Sequence, residues 1–138
     1  MPVGLYQSPK SREKYTKLFS IARTDTTSNI KAYLPKGAVI INVDFVGGLN
    51  SNAGTTAVIN IGTTSGATDV IVGYDVKTGA TGQRQVAGAA SSIFATVLSA
   101  DTPLWCTYVE TGTASSAGGP WLCNLEYMLL GPGESLTD

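Results

Sequence analysis

Apolar and polar side chains alternate through Ala38-Val39-Ile40-Ile41-Asn42-Val43-Asp44-Phe45-Val46. Neighbouring side chains of a strand point to opposite faces, so Val39, Ile41, Val43 and Phe45 share one face and Asn42 and Asp44 the other. This alternation predicts a half-buried strand of an antiparallel sheet, not a parallel strand or a helix. Pro35-Lys36-Gly37 supplies the turn that opens it, and the Gly47-Gly48 loop leads to a second strand at 55–61.

The same grammar repeats along the chain. Ile30, Ala32 and Leu34 alternate over 29–34, and Val70, Val72, Tyr74 and Val76 over 69–76. Further strands are predicted at 83–86, 92–98, 104–111 and 121–130. Residues 13–22 suit either a strand or a short helix, and their aromatic and Thr content favours a strand. The last strand is apolar on both faces, with Trp121, Cys123, Leu125, Tyr127 and Leu129 opposite Leu122, Met128 and Leu130. That marks a central strand, or one whose outer face meets another subunit. The expectation is an all-β, eight- or nine-stranded antiparallel sandwich of jelly-roll or Greek-key type. Residues 1–13 read as an extended N-terminal arm, 14–131 as the sandwich and 132–138 as a polar tail, because Pro2, Gly4 and Pro9 oppose regular structure at the start.

Composition changes this picture in two ways. Only 14% of the 138 residues are charged, and Thr, Ser, Gly and Ala fill 59 positions. A surface so neutral and small suits close packing against other protein surfaces. Second, the near-zero net charge of −1 hides a polarity. Residues 1–36 hold seven basic and two acidic side chains, a local +5, and the remainder holds two basic and eight acidic ones, a local −6. A basic arm and an acidic body attract each other between copies, or dock the arm on an acidic neighbour. Leu5, Tyr6, Lys10, Arg12, Lys14 and Lys17 are therefore the candidate interface residues.

The chemistry needed for catalysis is missing from the residue inventory. The chain has no histidine, the commonest general base and metal ligand. Ser11-Arg12-Glu13-Lys14 and Lys77-Thr78-Gly79 imitate two elements of penicillin-binding acyl-enzymes, but the Ser-Asp-Asn element is absent and the chain is too short. No catalytic residue, metal or cofactor is expected. Cys106 and Cys123 lie in strands flanking the 111–120 loop, where they either face each other across a hairpin or stay as two buried thiols; buried thiols are favoured. Trp105 and Trp121 read as core residues, with a sugar-stacking platform as the alternative. Basic and aromatic residues interleave only around Lys14-Tyr15-Thr16-Lys17, so nucleic acid is not an expected partner. Residues 1–6 lack the apolar core of a secretory signal, and no stretch approaches the ~20 apolar residues of a membrane helix.

The segment Leu34-Pro35-Lys36-Gly37-Ala38-Val39-Ile40, with Thr-Ala-Val-Ile-Asn-Ile-Gly-Thr-Thr at 56–64, resembles small β-sandwich proteins of tailed-bacteriophage virions. Among them it resembles the capsid decoration, or cement, proteins. That resemblance implies a jelly-roll domain on the capsid exterior, assembled in the host cytoplasm and bridging capsomers as a dimer or trimer. The implied partners are the major capsid protein and further copies of the chain, gripped by a terminal arm. A carbohydrate-binding module, a tail-fibre head and a tail or neck connector are the alternative readings.

Overall fold

The structure, a computed structural model, describes residues 13–78, 85–86 and 92–130. Eight strands form two antiparallel sheets: β1 (Lys14–Ile21), β2 (Asn29–Leu34), β3 (Ala38–Val46), β4 (Thr56–Gly62), β5 (Ile71–Asp75), β6 (Gln85–Val86), β7 (Thr102–Thr111) and β8 (Trp121–Leu129). Their order is β1-β8-β3-β6 in the first sheet and β2-β7-β4-β5 in the second. Outer and inner strands therefore nest as 1 with 8, 2 with 7, 3 with 6 and 4 with 5. That nesting is a jelly roll.

Seven of the strands have five residues or more, and β6 has two. The strand expected at 92–98 is instead the short 3-10 helix Ser92–Ala95. This run is apolar on both parities, a pattern that does not separate a strand from a helical turn. Ile93 and Phe94 pack on the core, and Leu98 donates to Ala38 O at 2.9 Å and accepts from Gly37 N at 2.8 Å.

The core lies between the sheets. Phe19, Ile21, Ile40, Val43, Phe45, Cys123 and Leu125 come from one side, and Leu34, Ile59, Ile61, Leu104, Cys106 and Tyr108 from the other. In β3 the expected facing holds for Val43 and Phe45 but not before them. The pairing with β8 shifts between Ile40 and Asn42, so Ala38 and Ile40 join the core while Ile41 is only half-buried. A bulge of one residue reverses which parity faces inward. β8 is central, between β1 and β3, and its outward face mixes Leu122 and Met128 with Asn124 and Glu126.

The 112–120 loop crosses from one sheet to the other, so β7 and β8 are not hairpin partners. Cys106 sits opposite Ile61 in the second sheet and Cys123 opposite Phe45 in the first. Both are buried free thiols that belong to opposing sheets. Burial pushes the Cys106 thiol up to about 12, and raises Cys123 as well, with Cys106 adding to its shift.

Candidate docking surfaces

The two ends of the sandwich are built differently. At one end the loops 22–28, 47–55 and 112–120 meet. Tyr108 Oη donates to Glu110 Oε1 at 2.7 Å and lies 2.6 Å from Ser51 Oγ. The second oxygen of Glu110 accepts from Ser115 N at 3.1 Å, and Arg23 Nη1 donates to Ser115 O at 3.0 Å. Asn52 Oδ1 accepts from Ser116 N and Ala117 N at 2.8 and 3.0 Å. Hydrogen bonds from Ser115 and Tyr108 hold the Glu110 carboxyl below the usual glutamate range. Beneath this network Trp121 stacks on Tyr108, ring centroids 5.4 Å apart.

At the opposite end the described chain enters β1 and leaves β8, with Lys14 level with Met128. Leu130 N donates to Gly37 O at 3.0 Å, so the exit lies beside the Pro35–Gly37 turn. A groove of about 330 Å³ opens here, lined by Lys17, Tyr33, Leu34, Pro35, Asp101 and Tyr127. It runs between the edges of the two sheets, because β1 and β2 are both edge strands. Tyr15 stacks on Tyr127 alongside it, centroids 5.6 Å apart.

Of the six candidate interface residues, Leu5, Tyr6, Lys10 and Arg12 lie outside the described residues. Lys14 and Lys17 sit on β1 but three positions apart, hence on opposite faces. Lys14 is exposed, whereas Lys17 is half-buried against the groove. The structure thus does not gather these two cations into one patch.

A further surface escapes the sequence pattern. On the outer face of the second sheet, Ile30 lies opposite Trp105, Tyr33 opposite Pro103, and Val58 opposite Val109. Tyr33 is 57% exposed, Val109 39% and Ile30 36%. Trp105 is half-buried on this face, whereas Trp121 is buried in the core. The expectation that both tryptophans are core is therefore corrected for Trp105. Its neighbours Leu104 and Cys106 take the inward positions, leaving Trp105 outward. The register of β2 also shifts between Ile30 and Ala32, which puts both Ile30 and Tyr33 outward despite their odd spacing. The first sheet's outer face is more polar, with Thr16, Glu126, Asn42 and Asn124 around the exposed Leu18 and Leu122.

Among the described residues no group of three or more His, Cys, Asp or Glu is placed to hold a metal. Lys77-Thr78 belongs to a turn: both backbone N–H groups donate to Asp75 Oδ1, at 2.8 and 3.0 Å, and the Thr78 hydroxyl donates to Asp75 Oδ2. Ser11, its supposed partner motif, lies outside the described residues. No helix among them is long and apolar enough to cross a membrane.

No protein-family model matches the chain, and no curated protein matches it. A solved structure does. The fold is similar to that of a chain in the cyanophage Pam1 capsid asymmetric unit. The TM-score is 0.63 at 16% identity, over 94% of this chain and 94% of that one. At that identity the likeness establishes the shared fold, and it spans both sheets because nearly the whole of each chain is covered.

Proposed function

We propose that this protein is a structural component of a tailed-phage virion, bound to the outside of the assembled capsid and bridging neighbouring capsomers. The observation that carries the reading is the jelly roll shared, nearly end to end, with a chain of a phage capsid asymmetric unit. Two features of the molecule support it. The outer face of the second sheet offers Ile30, Tyr33, Trp105 and Val109 to a partner, and exposed apolar faces of this kind mark interaction sites. The basic segment 1–36 stands against an acidic remainder, which suits contact with acidic shell surfaces or with further copies.

Such a protein works by mass action. A copy that binds only the assembled shell adds its binding free energy to that state and opposes disassembly. Contacts repeated over a lattice add through multivalency, so each can be weak. The arm residues Leu5, Tyr6, Lys10 and Arg12, with Lys14 and Lys17, carry part of the contact, and the partners are the major capsid protein and a second or third copy. No catalytic step is assigned.

The test is copy number in purified particles of the source virus, read against the major shell protein, together with co-sedimentation of the chain with empty shells. A simple ratio near one, with saturable binding, is the expected result. A handful of copies per particle, or none, overturns the decoration reading. Trp105 on an outer sheet face favours one second reading, a sugar-binding module. It predicts a change in tryptophan fluorescence on titration with host glycans, which a decoration protein lacks.

A further inference from the structure

We propose that the free edge of β1 accepts residues 1–7 of a second copy of this chain as an added strand. The inference deepens the decoration reading, on which it rests for its biological setting. Its test uses the free chain, so it fails or holds independently of shell binding.

The two sheets have four edges among the described residues. An edge strand exposes unpaired N–H and C=O groups, and proteins blunt such edges with bulges, short strands or inserted charges. Three of the four edges here are short or irregular. β6 has two residues, β5 carries an irregularity between Ile71 and Tyr74 with a left-handed Gly73, and β2 is bulged around Lys31. β1 carries Lys14 and Lys17, but it is the long and regular edge among the described residues. Its eight residues pair with β8 from Lys14↔Met128 to Ile21↔Trp121 without a register shift, it contains no proline, and among the described residues it is paired on one side only. A long, regular edge is a template for another strand.

The surroundings of that edge select the occupant. A strand laid beside β1 projects every second side chain over the groove lined by Tyr33, Leu34, Pro35, Tyr127 and Lys17. The occupant must therefore be extended and apolar at alternate positions. Residues 1–7 offer Met1, Val3 and Leu5 on one parity; Pro2 and Gly4, which oppose a long regular strand, fall on the other, with Pro2 at the start of the segment, where an edge strand tolerates it. The twelve residues before Glu13 span about 40 Å when extended, enough to reach a neighbouring copy.

Cysteine cross-linking of the full chain tests the contact. Cys106 and Cys123 are buried with raised thiol pKa values, so they remain silent. Chains carrying Leu5→Cys are mixed with chains carrying Tyr33→Cys under mild oxidation. The expected product is a mixed covalent dimer of twice 14.3 kDa, absent when Thr56→Cys replaces Tyr33→Cys. No mixed dimer above that control overturns the proposal. So does ring closure within the double variant, which would put the segment on its own β1. Light scattering gives a second reading: deleting residues 1–7 reduces the mass from a multiple of 14.3 kDa to one chain, with the thermal melt retained. An undiminished mass after the deletion also overturns it.

Discussion

The two ends of this jelly roll solve opposite problems. The loop end closes on itself: Ser51, Asn52, Tyr108, Glu110 and the 115–117 backbone satisfy one another through hydrogen bonds. The terminal end leaves a regular strand edge and a tyrosine-lined groove open beside the start of β1. Internal hydrogen bonding fixes the first region in place, although the buried Ser115 Oγ finds no partner among the described residues. Exposed apolar surface and an edge strand paired on one side only among the described residues suit the second to the docking proposed above. Substitutions at the loop end are expected to act on folding, and those at the terminal end on association.

That contrast can be broken or sharpened in order of expected effect. Trp121→Ala removes the indole stacked on Tyr108 and empties the base of the loop end. It is expected to cost about 3–5 kcal/mol in urea unfolding. A loss below about 1 kcal/mol would mean that this end collapses without penalty. Tyr108→Phe keeps the ring but strips the hydroxyl from Ser51 and Glu110. The expected loss is about 1–3 kcal/mol, because two polar partners each lose a hydrogen bond.

Acid should weaken the same end. The folded Glu110 carboxyl sits below its unfolded value, so its contribution is full above the ordinary glutamate range and fades as pH falls through the folded pKa. Unfolding midpoints measured against pH should drop more steeply for the native chain than for Glu110→Gln. Parallel curves would remove Glu110 from the account. At the opposite end, Tyr33→Ser should change stability by no more than about 0.5 kcal/mol, since the side chain is 57% exposed. It should nevertheless reduce self-association in light scattering. A large stability loss with unchanged mass would make the groove part of the fold and not a docking surface.

Much of the strand list was readable from alternation. β2, β3 and β8 begin where the pattern puts them, and β4 and β7 lie within two residues of it, because turn residues bound each apolar run. The two-sided apolarity of β8 correctly marked a central strand. Legibility failed where both parities were apolar. Val39-Ile40-Ile41 offered no sign of which residue would bulge, and Ile93 to Leu98 looked like a strand while forming a helical turn. The apolar outer face of the second sheet was not legible. Ile30 and Tyr33 differ in parity, so their common outward face depends on a register shift that local sequence does not encode.

The sequence by itself determined an all-β chain, the positions of its long strands, a low-charge surface and a basic N-terminal segment. These follow from side-chain period, turn chemistry and residue counts, all local quantities. The tertiary structure decided the rest: the nested pairing that makes a jelly roll, the placement of Cys106 and Cys123 in opposing sheets, the outward turn of Trp105 and, among the described residues, the long regular edge at β1. Each depends on which distant strand supplies the neighbour. A one-residue shift in that pairing exchanges the inward and outward faces, whereas the local alternation reads the same either way.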